Sequence, residues 1–332
     1  MKTTQSNAST NSNVTAKGRA SVIVPVYFNE GSIRKTFEMI KNEIFSDFPN
    51  LQWEVIFIDD GSADCSLQEI EDVAKENPGK AFFISLTRNF GQIAAIRAGC
   101  KHASGDFIIS MSADLQDPPS LFKRMVRQHM ELGTPVVAGV REDREESSYR
   151  KLTSAIFYKT MRALSFPNMP VGGFDVFLLS RTAMKDAFFA NHSNPFMQGE
   201  ILWTGHETAF IPYLRLERTI GKSRWTFGKK IKYLIDGVLG YSYAPIRAMA
   251  LVGIVISAVG MVYATYIFIA KITGQITIEG WAPLAILILI LSGVQMVMLG
   301  VIGEYLWRTL DQVRGRAPYI ISRSNISNRS DF

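Results

Sequence analysis

The stretch DFIISMSADLQDPP (residues 106–119) decides the fold of this 332-residue chain, because an apolar run ends there in acidic and amide side chains. The apolar part, residues 106–112, predicts a buried β-strand. Further apolar runs, separated by amphipathic stretches, lie at residues 21–27, 54–59, 81–87 and 135–140. Strands that alternate with helices are typical of a mostly parallel sheet with helices on both faces, so the sequence predicts an α/β fold.

The pattern becomes mixed after Arg150. We predict a helix at residues 149–164, a turn at Gly172 and Gly173, and a strand at residues 176–179. Since ligands of open α/β sheets bind beyond the carboxyl ends of the strands, we expect this half of the domain to complete a site at that edge.

Two apolar runs, residues 248–270 and 281–303, each have 23 residues and no charged side chain. As helices they would be roughly 34 Å long, against about 30 Å of hydrocarbon in a bilayer. Both are therefore predicted to span a membrane, and a pair of buried core helices is the alternative. Basic residues flank the pair on both sides, which by the positive-inside rule predicts cytoplasmic flanks. These are Lys229, Lys230, Lys232 and Arg247 before the pair, and Arg308, Arg314 and Arg316 after it.

The predicted organisation has five parts. Residues 1–18 form a disordered leader that lacks the apolar core of a secretory signal, so the α/β domain at residues 19–222 is expected in the cytoplasm. Residues 223–246 form an amphipathic interfacial region, where Trp225, Ile231 and Ile235 lie among lysines; a solvated linking helix is the alternative. The membrane helices fall within residues 247–306, and a cytoplasmic tail follows at residues 307–332.

Net charge, cysteine spacing and the absence of two nucleotide-binding motifs narrow the classes of function that fit this sequence. The formal charge of +6 fits nucleic acid, anionic lipid or a phosphorylated substrate, but much of it lies beside the apolar runs. The two cysteines, Cys65 and Cys100, lack metal-ligand spacing and indicate reduced thiols. Neither GxGxxG nor GxxxxGK[ST] occurs, so NAD enzymes and P-loop ATPases fit poorly.

The polar strand ends carry the candidate chemistry. PVYFNE (residues 25–30) lies at the end of the first strand, and DDGSAD (residues 59–64) lies at the end of the second. Asp60 could accept hydrogen bonds from a base edge or a ribose, and Gly61 permits the turn that exposes it; ordinary turn chemistry is the alternative. Arg88, before a predicted helix, suits an anion, although a solvated charge is the simpler interpretation.

The fourth strand end is suited to a cation. Asp114 and Gln116 lie on one side of an extended segment and offer the hard oxygen atoms that Mg²⁺ or Mn²⁺ requires, with further ligands from a diphosphate. Asp117, before two prolines, is predicted to be a helix N-cap.

Together, PVYFNE, FIDDGSAD, LTRNFGQ, SADLQDPP, ERTIGKSRW and LGVIGEYLWR resemble family-2 glycosyltransferases that act on polyisoprenyl phosphates. These include dolichyl-phosphate mannose synthases and, closer in layout, bactoprenol glucosyltransferases, and the likeness covers about residues 21–319. The resemblance implies a GT-A fold with a two-helix membrane hairpin. It implies a donor site made of Pro25, Tyr27, Asn29, Asp60, Arg88, Ser112 and Ala113.

The same resemblance implies the remaining site residues. Asp114 and Gln116 would bind the metal, and Asp114 and Asp175 would be catalytic, Asp175 matching the Asp of a family segment DFRLLSR. Lipid phosphate or diphosphate would be bound by Arg218, Ser223 and Arg224. Three positions depart from the family pattern: Ser112 replaces the first acid of DxD, Phe28 shifts Asn29 to a customary Glu position, and Phe177 replaces an Arg. Ser112 predicts a metal site that depends more on the diphosphate.

The resemblance therefore predicts a metal-dependent inverting transfer of glucose from UDP-glucose to undecaprenyl phosphate at the inner membrane, with no nucleic-acid partner and with homo-oligomer formation left open. GDP-mannose is the alternative donor. A processive polysaccharide synthase is suggested by Arg224 and Trp225, but Gly221 replaces the Gln of its QxxRW motif. A non-catalytic scaffold that binds nucleotide sugars is suggested by Ser112 alone.

Overall fold

The computed structural model describes residues 18–142, 158–188, 196–216, 235–273 and 280–326. In these ranges the strands form one eight-stranded sheet in the order β7-β5-β6-β4-β1-β2-β3-β8. The strands are β1 (Arg19–Val26), β2 (Gln52–Asp59), β3 (Ala81–Leu86), β4 (Phe107–Ser110), β5 (Val136–Arg141), β6 (Val176–Ser180), β7 (Thr208–Tyr213) and β8 (Ile321–Ser324).

The centre of the sheet, β3-β2-β1-β4, is parallel and apolar on both faces. Val22 and Val24 of β1 face one core layer, and Ile23 between them faces the other. Because side chains alternate across a strand, a continuous apolar run is what a strand covered on both sides requires. The five sequence-predicted strands of the first half are confirmed to within one or two residues at most ends.

Helices cover both faces. They are α1 (Ile33–Met39), α2 (Ser66–Glu76), α3 (Gln92–His102), α4 (Pro119–Leu132), α5 (Arg181–Phe188) and α6 (Met197–Trp203). Phe37, Ile70 and Phe122 carry α1, α2 and α4 onto one core layer. Ile96 and Ile201 are among the residues that pack α3 and α6 onto the other. The result is the three-layer α/β architecture that the sequence predicts.

Strand β6 lies antiparallel between β4 and β5. Ser110 at the end of β4 pairs with Phe177 near the start of β6, and Gly139 of β5 pairs with Val176. The start of β6 therefore lies at the edge where β4 and β5 end. Strand β7 runs parallel to β5 and ends at this edge as well. Neither β7 nor the outer antiparallel strand β8 was among the predicted elements.

The two long apolar helices are α7 (Ala244–Ile272) and α8 (Trp281–Val313). No part of their most apolar windows is buried, and large side chains such as Met261, Tyr266 and Leu299 are exposed. A buried core pair, the alternative interpretation of the sequence, does not have this exposure. Helix α8 continues ten residues beyond the predicted run. These last turns carry charged side chains, so they lie outside the apolar stretch from which the helix was predicted.

Several predicted features lie outside the described residues. They are most of the leader (1–17), residues 149–157 of the predicted helix, and residues 217–234 with Arg218, Ser223, Arg224, Trp225 and Ile231. Residues 158–164 and 235–241, which continue two of these segments, are helical. Val238 and Tyr241 pack against a cluster that contains Met161, Phe166 and Phe196, so residues 235–241 lie against the α/β domain.

Candidate active site

Acidic and basic side chains gather at one edge of the sheet. The loops after β1, β2 and β4 meet there, because these parallel strands end together. Asp175 directly precedes β6, whose antiparallel direction brings its start to the same edge. Arg141 at the end of β5 pairs with Tyr213 at the end of β7. The edge therefore collects residues from both halves of the α/β domain.

Hydrogen bonds tie the loops after β1 and β4 together. The Ser32 hydroxyl donates to the carbonyl oxygens of Asn29 (2.7 Å) and Ala113 (2.9 Å), and the Thr36 hydroxyl also reaches Ala113 O. Ala113 is buried. Asn29, a residue predicted to bind the nucleotide sugar, accepts a hydrogen bond from the Tyr27 N–H on its side-chain oxygen. Pro25, Tyr27 and Asn29 are thus brought beside Ser112 and Ala113 as a single wall.

Asp60 holds a third loop in place. The backbone N–H groups of Phe90 and Gly91 donate to its two carboxylate oxygens at 2.7 and 2.9 Å, and the side chain is almost fully buried. Burial raises the pKa of Asp60 to about 6, although these two N–H donors oppose the change. The residue predicted to bind nucleotide therefore also fixes the loop that carries Arg88.

The turn after Asp60 leaves no room for a side chain. Gly61 has a φ of +69°, and a Cβ at this position would lie 2.5 Å from the carbonyl carbon of Arg88. Only glycine combines this backbone conformation with so close an approach. Arg88 itself is exposed, with its guanidinium 4.1 Å from the centre of the Phe90 ring. It lies on the Asp60 side of the edge, where its charge lowers the pKa of Asp60 against the larger effect of burial.

Asp114 is buried at the end of the β4 loop, 6% exposed. The Ser112 hydroxyl donates to Asp114 Oδ1 at 2.6 Å, and the Gln116 N–H reaches the same oxygen at 3.4 Å. The serine that replaces the first acid of the DxD pattern thus orients the remaining carboxylate. Asp114 Oδ2 faces the guanidinium of Arg215, with Nη2 at 3.5 Å.

These residues fit a divalent cation that arrives with additional ligands. The Gln116 side-chain nitrogen donates to Leu216 O at 3.3 Å, which leaves the amide oxygen as the end that could face a metal. One carboxylate, one amide oxygen and one hydroxyl are hard donors, but few for an ion without a diphosphate. In the described ranges no group of three or more His, Cys, Asp or Glu side chains could hold a metal ion by itself.

Asp117 does not cap helix α4, and the prediction of a capping role is wrong. The N-cap residue is Pro118, which makes no side-chain cap bond. Asp117 instead turns inward, is buried, and accepts a hydrogen bond from the Tyr213 hydroxyl at 3.1 Å. Burial raises the pKa of this carboxyl, and the nearby Asp114 carboxylate adds to the effect.

A chain of contacts connects Asp117 to Asp175. Arg141 Nε donates to the Tyr213 hydroxyl at 3.4 Å, and Arg141 Nη2 forms an ion pair with Asp175. Burial alone would lower the pKa of Arg141, but Asp175, Tyr213 and Asp117 together outweigh burial and raise that pKa. Asp175 is half-exposed, so its carboxylate is held by Arg141 while remaining open to a substrate.

Sequence reasoning missed Arg141, Tyr213 and Arg215. A signal existed for Arg141, since it begins the polar run after the fifth predicted strand. Tyr213 and Arg215 belong to the unpredicted strand β7 and its end, and no local pattern singled them out. Arg215 lies three residues before Arg218, the first of the predicted phosphate-binding residues, which with Ser223 and Arg224 lies outside the described residues.

Comparisons with known proteins agree with this geometry. Residues 21–188 match the model of the family described as Glycosyl transferase family 2. A glycosyltransferase of Bacillus subtilis, YkcC, is 33% identical over 92% of this chain and 93% of its own. A prophage bactoprenol glucosyl transferase homolog of Escherichia coli K12 is 31% identical over 92% of this chain and 99% of its own.

The fold is also found among solved structures. Mannosyl-3-phosphoglycerate synthase from Rubrobacter xylanophilus aligns with a TM-score of 0.50 at 17% identity, over 71% of this chain and 75% of that protein. At this identity the likeness concerns the fold alone, and it confirms the GT-A fold that the sequence resemblance implied.

Proposed function

Because this chain belongs to glycosyl transferase family 2, we propose that it transfers glucose from UDP-glucose to a polyprenyl phosphate at the cytoplasmic face of the membrane. The observation that carries the proposal is the single edge on which Asp60, Asp114 and Asp175 gather from three strands. The E. coli relative's name and the two exposed apolar helices support a lipid phosphate as the acceptor.

The reaction requires little base catalysis. A phosphate monoester has a second pKa of about 6, so near neutral pH its dianion is already a nucleophile. One of its oxygens would form a bond to the anomeric carbon while the bond from that carbon to the diphosphate breaks, and the nucleoside diphosphate would leave with the electron pair. Attack from the face opposite the leaving group inverts the configuration of the sugar.

The chain supplies positions for the charges. Asp114, oriented by Ser112, and Gln116 would hold Mg²⁺ or Mn²⁺. When bound, such a cation offsets the negative charge that develops on the leaving diphosphate, where electrostatic stabilisation counts most. Asp60 and the wall formed by Pro25, Tyr27 and Asn29 would hold the nucleoside. Asp175, oriented by Arg141, would position the reacting sugar and acceptor.

Two contacts support a cytoplasmic active site beside the membrane. Residues 235–241, which precede α7, pack against the α/β domain, and β8, which follows α8, pairs with β3. Both ends of the apolar hairpin thus return to the domain that carries the active site. A hairpin of two spans begins and ends on one side of a bilayer, and the basic flanks favour the cytoplasmic side.

The proposal is tested with the purified full-length chain in detergent, a polyprenyl phosphate and Mg²⁺. Labelled UDP-glucose and GDP-mannose are supplied separately, and the extracted lipid is assayed for label. Asp114→Ala should reduce transfer by about 10²–10³-fold, because it removes the carboxylate that positions the cation against the leaving group.

The matched control is Asp72→Ala, an exposed acid on α2 away from the sheet edge. It should transfer sugar at the wild-type rate. If the lipid is labelled from GDP-mannose alone, GDP-mannose replaces UDP-glucose as the proposed sugar donor. A labelled water-soluble polymer would indicate a polysaccharide synthase. Absence of transfer from either donor, or full activity of Asp114→Ala, would contradict the proposal.

A further inference from the structure

The environment of Arg215 raises a question about the metal site. Its guanidinium lies 3.5 Å from Asp114 Oδ2, the carboxylate to which the proposed function assigns the cation. Its charge also acts on the buried carboxyl of Asp117 and lowers the pKa of that group against the effect of burial. Arg215 is thus the positive partner of two acidic side chains on one loop.

The backbone holds Arg215 at this place. The Leu216 N–H donates to Gln116 O at 2.9 Å, and the Gln116 side chain donates back to Leu216 O. Two residues earlier, the Tyr213 hydroxyl is bonded to Asp117. Three bonds therefore fasten residues 213–216 over residues 114–117, and they keep the backbone of Arg215 beside the metal loop.

The Arg215 guanidinium makes only some of the hydrogen bonds that it could donate. Within the described residues, Arg215 Nε is buried and has no hydrogen-bond partner, while the side chain as a whole remains about one quarter exposed. An arginine with a buried unpaired donor beside an open site is prepared for an anion with several oxygen atoms, since the planar fork binds phosphate bidentately. A diphosphate at Asp114 would supply those oxygens.

We propose that Arg215 makes cation binding conditional on the nucleotide. In the free protein it neutralises Asp114, so a divalent ion that arrives alone meets a like charge at close range. When the ion arrives with a nucleoside diphosphate, the diphosphate oxygens accept hydrogen bonds from the Arg215 guanidinium. Asp114 is then released to bind the metal. The proposal rests on the proposed function, because it assumes that Asp114 binds the cation.

The test measures binding and needs no turnover. Free Mn²⁺ is titrated by electron paramagnetic resonance against the full-length chain in detergent, with and without UDP or GDP, whichever binds the wild type more tightly. Wild type should bind Mn²⁺ weakly alone and tightly with nucleotide. Arg215→Met should bind Mn²⁺ alone about tenfold more tightly and the Mn²⁺–nucleotide pair more weakly, because one repulsion and one attraction are both removed.

Two further variants make the result specific. Arg215→Lys keeps the charge but lacks the fork, so it should exclude lone Mn²⁺ as the wild type does and bind the nucleotide pair more weakly. Arg215→Lys also tests the proposal if Arg215→Met does not fold. Arg124→Met removes an exposed arginine of α4 that donates to Pro212 O of β7, and it should change neither affinity.

Contrary outcomes are distinct. If Arg215→Met binds lone Mn²⁺ no more tightly than wild type, or Arg215→Lys binds the nucleotide pair as tightly as wild type, the role of Arg215 is refuted while the proposed function stands. If Asp114→Asn binds Mn²⁺ with nucleotide as tightly as wild type, the metal assignment itself fails and the inference fails with it.

Discussion

At the residue scale, Asp60 has a structural task beside the ligand-binding task proposed for it. Both of its carboxylate oxygens already accept backbone N–H groups of the loop after β3, yet each oxygen retains a second lone pair. Burial raises the pKa of this carboxyl from 3.8 to about 6. The folded state therefore binds the proton more tightly than the unfolded chain, and ionising Asp60 costs stability.

The sign of the pH dependence follows from this difference. The Asp60 contribution to the free energy of unfolding should fall as pH rises from about 4 to about 6, by up to about 3 kcal/mol, and should be level above that range. Denaturant unfolding of wild type and Asp60→Asn across these pH values isolates the contribution, since asparagine does not titrate. A wild-type advantage that grows with rising pH would contradict the prediction.

Between elements, the most consequential contact is the ion pair of Arg97 on α3 with Glu200 on α6. Both side chains are almost fully buried, 4% and 1% exposed. Burial raises the pKa of Glu200, and the charge of Arg97 opposes that change. The pair joins a helix of the first half of the domain to a helix of the second.

Removing Arg97 leaves the Glu200 carboxylate buried without its cationic partner. Arg97→Met should therefore lower the free energy of unfolding by about 3–5 kcal/mol, whereas the double variant Arg97→Met/Glu200→Met should recover most of that loss. Thermal or denaturant unfolding of Arg97→Met, Glu200→Met and the double variant completes a double-mutant cycle for the pair. Losses that simply add would show that the pair does not act as a unit.

At the scale of the whole molecule, contacts join α8 to the residues that precede α7, which pack on the α/β domain, and join the chain after α8 to the sheet. Arg308 of α8 forms an ion pair with the buried Asp236, and the Tyr305 hydroxyl donates to Ser242 O. Arg308 also forms an i, i+4 ion pair with Glu304. Beyond α8, β8 adds an edge strand to the sheet, and the Phe83 N–H donates to Asn325 Oδ1 at 2.7 Å.

In the proposed topology the α/β domain lies on one side of the bilayer, and the native cysteines test which side. Cys65 is exposed near the active edge, whereas burial raises the pKa of Cys100 to about 12 and keeps that thiol unreactive. A membrane-impermeant maleimide should label Cys65 in inside-out vesicles and not in right-side-out vesicles. Labelling at about pH 8 compensates for the pKa of Cys65, which the Glu30 carboxylate raises.

Cys65→Ser in inside-out vesicles is the control, because it should remove the label and so identify the reacting thiol. Labelling of Cys65 in right-side-out vesicles, with none in inside-out vesicles, would place the domain on the opposite side of the membrane from the one proposed.

The sequence by itself determined the local features of this protein. Apolar runs such as residues 54–59 predicted the central strands, because burial on both faces requires continuous apolar side chains. The polar residues at their ends, Asp60 and Asp114 among them, indicated the candidate site at one edge of the sheet. Two uncharged runs predicted the long helices, and the ordered motifs indicated the family, since each of these signals lies within a few residues of chain.

Only the tertiary structure decided which distant segments meet. The antiparallel insertion of β6, the addition of β7 and β8, and the contacts of Arg215 with Asp114 and Arg141 with Asp175 all join residues separated by long stretches of chain. The same pairing turned Asp117 from the predicted helix cap into a buried partner of Tyr213. Such contacts depend on strand order and register, which arise from packing of the whole sheet and leave no periodic pattern in the sequence.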